Sequence, residues 1–431
     1  MQRWMLLRRP RLKIGNSGSR GWILLQRWDS PALPLVITAV IYFILIFVTV
    51  RNQDYDFSYF VFASGRWCKA GEVPKGLTVR PPGTGYDGQF YYRLALDPFT
   101  SKVTDFGITL DNPAYRHQRI LYPLIVWGLS FGCIDCVPVL MVVVNFVCLC
   151  VLGWLGGVFA RSMRLHSLWG LAFPFYPGFL LSLLRDLTDI LCASLLLASL
   201  ILVRRHKHLP ATLLFILATL TRETVLLVAV GAVCVWLNGI RSQKSSDDSP
   251  GYFFLSAFLA YLIWQFVLLQ SWGYERWNEA HLGVISPSLS WPFSAFFRRL
   301  LSTGALHTRL QRLQFVEMLL IVAFGVVVAW SMRSSKASRL EKTSWFVYAA
   351  LACLLTDKFW HDDWGFLRAL SEFYVFGLII LLGSPSKTKI PILACWGAVW
   401  LSYFWALTDM THRILHRLTH LLGSSSSGLF P

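Results

Sequence analysis

Asp87 stands in the run Gly85-Tyr-Asp-Gly-Gln-Phe-Tyr-Tyr-Arg93, a lone carboxylate among glycines, an amide and tyrosines. A carboxylate so placed is a candidate general base for an attacking alcohol. Tyr86, Gln89, Tyr91 and Tyr92 supply hydroxyls, an amide and aromatic faces, a mixture suited to sugar hydroxyls and the apolar faces of sugar rings. Asp before Gly is also a common turn residue, so a plain turn is the competing reading of the local backbone. Asp54 and Asp56 are the competing carboxylates. Aspartate pairs can also hold a divalent cation, which leaves a metal cofactor open.

Further charges fall next to apolar runs. Arg116, His117 and Arg119 follow Asp87; Arg185, Asp186 and Asp189 form a second group; Arg222 and Glu223 a third; His361, Asp362, Asp363, Arg368 and Glu372 a fourth. A charge at the centre of a membrane helix costs roughly 2.5–3.5 kcal/mol on insertion scales, so each group calls for an explanation. Arg185 and Asp189 are four apart, as are Arg368 and Glu372, and on a helix each pair would neutralise itself. Arg116 and Arg119 share a helical face with no acid adjacent in sequence, which makes them candidates for a phosphate, whose oxygens match the guanidinium fork. Arg222 and Arg368 are the further candidates for that role.

The elements that must position these residues are apolar. The chain has 431 residues, 55% hydrophobic and 15% charged, and its mean hydropathy is +0.52. Continuous apolar runs of spanning length recur from Ala32 onward, which predicts an all-α polytopic membrane protein and excludes an alternating β-barrel. The net charge of +17 is read as basic loops on one side of a membrane rather than as a nucleic-acid surface. The nineteen Trp fit interfacial belts. Most of the nine cysteines lie inside apolar runs, and Cys133-Ile-Asp-Cys136 reads as a turn rather than a zinc site.

The basic flank of residues 1–31 predicts that the first span, Ala32 to Val50, leaves the cytoplasm. Residues 51–118 then form a long first outer loop and 272–312 a second, within a membrane domain of residues 32–408; residues 409–431 form a tail. Arg204-Arg-His-Lys207, residues 333–342, Lys387 and Lys389 mark the inner side. The map gives about eleven crossings. It carries two tensions. Residues 119–184 hold three apolar segments where an even number of crossings is needed, so one must be short, re-entrant or interfacial. The basic tail with Arg413 and Arg417 falls outside. His412, His416 and His420 recur at four-residue spacing there, which reads as an interfacial amphipathic helix before it reads as a metal site.

A first span followed by a long outer loop with Tyr86-Asp-Gly-Gln-Phe-Tyr-Tyr92 resembles the GT-C superfamily of membrane glycosyltransferases. The likeness is nearer to a bacterial family tied to cell-surface glycopolymer formation. It extends through Ala95-Leu-Asp-Pro98, Tyr115-Arg-His-Gln-Arg-Ile-Leu-Tyr-Pro123, Asp186-Leu-Thr-Asp189 and Leu220-Thr-Arg-Glu-Thr224, covering about residues 32–238. Beyond that it rests on Asp362-Asp-Trp-Gly-Phe-Leu-Arg-Ala-Leu-Ser-Glu372. The resemblance implies a polyprenyl-phosphate-linked sugar donor and inverting transfer to a glycan or glycolipid acceptor outside the cytoplasm, with Asp87 at the position of the base. Asp189 departs from the Glu frequent at its position, and the absence of a di-acidic pair at Asp87 leaves a protein acceptor unsupported. A transporter or flippase of lipid-linked sugars, a polysaccharide polymerase or ligase, and a non-catalytic assembly subunit are the rival readings.

Overall fold

The computed structural model describes residues 29–83, 85–241, 251–285, 288–301, 309–360 and 363–408. The chain is a helical bundle with almost no sheet. Its elements in order are α1 (Ala32–Arg51), α2 (Ser58–Val61), α3 (Gly88–Leu96), a two-stranded hairpin of β1 (Thr104–Asp105) and β2 (Ile108–Thr109), α4 (Pro113–His117), α5 (Leu121–Ser130) and α6 (Val137–Ser162). A 3-10 turn (Ser167–Ala172) and α7 (Pro177–Leu183) follow, then α8 (Asp189–Arg204), α9 (His208–Thr221), α10 (Leu227–Arg241) and α11 (Gly251–Ile285). The last elements are α12 (Ser294–Leu301), α13 (Arg309–Ser331), α14 (Arg339–Leu354), α15 (Asp357–Trp360), α16 (Asp363–Ala369), α17 (Ser371–Gly383) and α18 (Lys389–Thr408).

This is a membrane protein. Among the described residues, five helical stretches are long and apolar enough to cross a bilayer: Ala32–Arg51, Ile134–Ser162, Leu255–His281, Gln311–Ser331 and Lys389–Leu407. Their exposed faces are the apolar ones. On α1, Val36, Val40, Phe43, Ile44 and Phe47 point outward, while Thr38, Tyr42 and Thr49 are buried. That spacing is one helical face, and an outward apolar face with polar groups turned inward is the arrangement a lipid solvent selects. α6 repeats it with Val139, Val143, Val147 and Val151 outward and Asn145 buried. At the centre, α17 is buried along all 13 of its residues.

The bundle has two distinct ends. At one, Asp29 accepts from the Ser167 N–H at 2.8 Å and faces Arg161 at 3.6 Å. At this end too, Arg204 Nε donates to Glu341 at 2.6 Å and Lys389 lies over the Trp169 ring. At the other end, residues 52–117 form a cap containing α2, α3, the β hairpin and α4. Phe90, Leu94, Leu110 and Ala114 of the cap pack with Leu268, Trp272 and Ala280 of α11 into a second, smaller core.

Two elements add detail that the sequence expectation lacked. The apolar segment 119–132 contains a helix of only 10 residues, α5, about 15 Å long and so half a bilayer core. It begins beside the charged cluster described below and ends where Trp127 meets Phe99 of the cap, 5.7 Å between ring centroids. It therefore starts and finishes at the same end of the bundle. The Cys133–Cys136 disulfide follows it, and Gly76 of the cap lies against Asp135. The sequence predicted a turn there, and the structure adds the bond.

The second is α11. Its helical run Leu255–His281 is long and apolar enough for one span, but the sequence had already placed residues 272–312 outside. Gly273 breaks it at φ 78° and ψ 164°. Trp277 Nε1 donates back to Gln265 at 3.2 Å, and Gln118 reaches both Tyr261 and His281 at 3.3 Å. In a straight helix residues 261 and 281 would stand about 30 Å apart. The helix folds back on itself at Gly273, and its second half returns along the first against α4. That backbone conformation belongs almost entirely to glycine and costs other residues about 1–3 kcal/mol. Gly273→Ala is expected to lower the thermal midpoint in detergent, whereas Gly128→Ala, at an open helical position, should be neutral or mildly stabilising.

Candidate functional site

Asp87 precedes the first residue of α3 but does not cap it: its side chain makes no hydrogen bond to the helix N-terminus. The carboxylate turns instead toward two arginines, Arg116 at 3.0 Å and Arg368 at 3.6 Å. The glycine that follows explains how the motif is seated. A side chain at Gly88 would run into the carbonyl oxygens of Arg185 and Val61, so only glycine lets α3 begin against the loop before α8. The turn reading accounts for the backbone; it leaves the carboxylate free to face the arginines.

Around this pair lies a network drawn from five stretches of the chain, 86–91, 111–119, 182–189, 222–224 and 368–372. Arg116 Nε and Nη2 donate to Asp111 at 2.8 and 2.6 Å. Arg119 grips Glu223 through Nε at 3.0 Å and Nη2 at 2.6 Å, and donates to the Tyr91 and Tyr115 hydroxyls. Arg368 donates through Nε to Asp189 at 3.0 Å and through Nη1 to the Tyr86 hydroxyl at 2.8 Å. Arg222 Nη1 donates to Asp189 at 2.8 Å, the Ser371 hydroxyl at 2.6 Å and the Arg368 carbonyl at 3.0 Å, and faces Glu372 at 3.4 Å. Glu372 also accepts from the Thr224 and Ser371 hydroxyls, and Asp189 from the Ser182 hydroxyl.

The network corrects three expectations. Arg116 and Arg119 are not without acids: Asp111 and Glu223 hold them in two-pronged pairs. Arg185 does not pair with Asp189; it lies 3.6 Å over the Phe62 ring and donates to the Leu184 carbonyl. Arg368 and Glu372, four apart, take different partners because Arg368 ends α16 and Glu372 starts the separate helix α17. The break at Leu370 turns the two side chains apart, one to Asp87 and Asp189, the other to Arg222.

Burial sorts the network into two layers. Asp189, Glu372 and Arg222 are all within 7% of full burial at the side chain. Asp87, Asp111 and Glu223 keep 29%, 26% and 24% of their side-chain surface exposed. Arg222 bonds to the buried acids, reaching Asp189 and Glu372. Arg116, Arg119 and Arg368 form the floor of the accessible layer.

Several expected site residues serve structure. Gln89 accepts from the Ser64 N–H at 3.0 Å and fixes the start of the cap. Tyr92 is fully buried and its hydroxyl has no partner among the described residues. His117 packs on Trp272, 5.2 Å between rings, with Nδ1 on the Pro113 carbonyl, and burial pushes it down to about 4. It is neutral at pH 7. Asp186 is wholly buried, and neither oxygen has a hydrogen-bond partner among the described residues. Burial raises its carboxyl well above the usual range, opposed in part by the nearby Asn145 amide. Asp56 accepts from the Ser58 N–H, and Asp54 sits at positive φ in an exposed turn. His361, Asp362 and the tail histidines His412, His416 and His420 lie outside the described residues.

Asp111, Tyr115 and Ser371 were not anticipated. Asp111 precedes Arg116 by five, a spacing with no helical meaning, and the pairing follows from Asn112 capping α4 through the Tyr115 N–H. Trp264 Nε1 donates to the His117 carbonyl at 3.0 Å, so the folded-back α11 braces the short helix that carries Arg116.

Burial raises the Asp87 carboxyl, but the guanidiniums of Arg116, Arg368 and Arg119 outweigh it and hold it below the usual carboxylate range. Burial likewise raises Glu223, and Arg119 brings it down to about 2. Among the described residues no three His, Cys, Asp or Glu side chains converge as a metal site. The arrangement thus presents an ionised, partly exposed carboxylate beside guanidiniums and tyrosine hydroxyls, able to accept a proton next to a place where negative charge is stabilised. No protein-family model, no characterised protein and no solved structure matches this chain.

The depressed Glu223 makes a pH prediction. Its folded value lies below the ordinary 4.5, so the Arg119 pair stabilises fully above that pH and is lost as pH falls toward about 2. Wild-type protein should lose more thermal stability between about pH 5 and pH 2 than Glu223→Gln, which has no carboxylate to protonate there. Equal losses in the two proteins would show that the pair contributes no pH-dependent stability.

Proposed function

We propose that this chain is a membrane glycosyltransferase that moves a sugar from a polyprenyl-phosphate donor to an acceptor hydroxyl, with inversion, on the extracytoplasmic side. The observation that carries the reading is the placement of Asp87: partly exposed, unused as a helix cap, and set between Arg116 and Arg368 beside the Tyr86 hydroxyl. Single displacement at an anomeric carbon needs a base for the incoming hydroxyl and positive charge for the departing phosphate. Asp87 is the base. Arg116, Arg368 and Arg119 stabilise the leaving group, with Arg222 holding Asp189 and Arg368 in register. A base of depressed proton affinity suffices because the hydroxyl becomes acidic only as its bond to an electron-poor anomeric carbon forms. Tyr86 and Tyr115 line the same layer and suit sugar hydroxyls, while the fully buried Tyr91 accepts from Arg119 beneath it.

The proposed topology has eleven crossings: α1, α6, the broken segment 167–183, α8, α9, α10, the first half of α11, α13, α14, α17 and α18. α5 drops out of the count, which removes the parity problem of residues 119–184. With the basic residues 1–31 inside, the cap of residues 52–117 and the charged network face outward, and the Asp29, Arg204 and Lys389 end faces the cytoplasm, in keeping with the positive-inside bias. Cysteines introduced at Gly71 and Arg205, both exposed at opposite ends, should react with a membrane-impermeant maleimide on intact cells and only after permeabilisation, respectively. The reverse pattern would put Asp87 in the cytoplasm and remove the lipid-linked donor from the reading.

A second reading, a carrier of lipid-linked sugars, is favoured by one feature: the crossing at residues 167–183 is made of a 3-10 turn and a 7-residue helix, and broken helices are frequent in carriers. One experiment separates the two. Purified protein is given a radiolabelled polyprenyl-phosphate sugar and a glycan acceptor in detergent. Wild type should transfer label, and Asp87→Asn should lose transfer by roughly 100-fold or more while keeping wild-type melting. Undiminished transfer by the variant would remove Asp87 from the chemistry, and absence of transfer by folded wild type, alongside movement of label across vesicles, would favour the carrier.

A further inference from the structure

The charged network carries no surplus positive charge before any donor arrives. Arg116, Arg119, Arg222 and Arg368 face Asp87, Asp111, Asp189, Glu223 and Glu372, so the described network has four guanidiniums for five carboxylates. An incoming phosphate would meet a site with no surplus positive charge. Its binding is unfavourable unless a resident carboxylate yields its place.

We propose that Asp111 is a displaceable counterion, holding the Arg116 fork until the phosphate of a prenyl-linked donor takes that position. The inference rests on the donor reading above. Asp111 occupies Nε and Nη2 of Arg116, the edge of the guanidinium that a phosphate engages through two oxygens. Arg116 Nη1 remains on Asp87, so the exchange leaves the base in contact with the guanidinium. The other acids are poorly placed to move. Asp189 and Glu372 lie on helices and are within 3% of full burial, and Glu223 opens a 3-10 turn continuous with α10. Asp111 lies between β2 and α4, outside any helix or strand, with its carboxylate 26% exposed.

The charges match. A prenyl phosphodiester carries one negative charge, so exchange with one carboxylate keeps the network's balance. After transfer the leaving phosphate monoester carries about two negative charges at neutral pH. Asp111 then competes with a product that binds Arg116 more strongly than the donor did, and its return aids release.

The experiment measures binding of farnesyl phosphate, inorganic phosphate and farnesol to purified full-length protein by calorimetry in detergent. Asp111→Asn keeps an oxygen for the Asn112 N–H, which the carboxylate now accepts at 2.7 Å, but removes the charge. It should bind farnesyl phosphate roughly tenfold more tightly than wild type, and Arg116→Gln should abolish the gain when combined with it. Asp111→Ser, whose hydroxyl can also accept from that N–H, carries the same expectation and serves if the amide variant fails to fold. A gain for farnesyl phosphate alone identifies a lipid-borne phosphate, and an equal gain for inorganic phosphate identifies the phosphate group alone; both uphold the counterion role. Equal or weaker binding by folded Asp111 variants, with wild type binding normally, overturns the proposal and leaves the donor reading standing. Folded wild type and variants that bind neither phosphate overturn both.

Discussion

Guanidinium groups cannot be buried at the end of an apolar bundle unless carboxylates meet them there. That constraint organises this protein. Arg222 reaches Asp189, Glu372 and the Ser371 hydroxyl from a single nitrogen, and removing one partner of such a buried pair typically costs about 3–5 kcal/mol. The ends of α8, α9, α16 and α17 are consequently pinned to a common point. α3, α4 and the cap are then tied on through Asp87, Arg116 and Arg119. The hydrophobic faces let these helices enter a membrane, but lipid contact does not specify how they pair. The ion pairs and the inward-facing polar groups supply that specificity.

The division into layers follows from exposure. The deep layer is held by short bonds and sealed from solvent, with Arg222 Nε lacking a hydrogen-bond partner among the described residues. The outer layer contains three partly exposed carboxylates, each on an arginine. Screening by water makes outer contacts weaker and easier to exchange than buried ones, so the accessible layer is where a ligand of the proposed kind would compete. Asp87 is held there by structure on both sides: Gly88 gives α3 room to begin, and α11, reversed at Gly273, braces α4 behind Arg116.

Much of the architecture was legible in the sequence. The apolar runs behind α1, α6, α13 and α18 have spanning length, and the run at 187–203 became α8 nearly residue for residue. Asp87, Arg119, Asp189, Arg222, Glu223, Arg368 and Glu372 were recognisable because charge beside an apolar run is costly, and the structure brings all of them together. Their pairing was not legible. The four-residue rule that couples Arg368 to Glu372 assumes one continuous helix, and the chain breaks at Leu370. Asp111 carried no signal, because a loop residue five positions from its partner has no periodicity to reveal it. Placing residues 272–312 outside did not reveal that the helix reverses and packs back on itself, because hydropathy is blind to a single glycine at positive φ.

The sequence by itself determined that this chain lives in a lipid solvent and that a few expensive charges must find one another. Both are matters of transfer free energy, which depends on residue type and local run length. Only the tertiary structure decided which charges meet, which are sealed away, and which remain within reach of a ligand. Those outcomes depend on where helices stop and turn, at Ser130, at Leu370 and at Gly273, and on contacts between residues more than a hundred positions apart, such as Arg119 with Glu223 and Arg368 with Asp189.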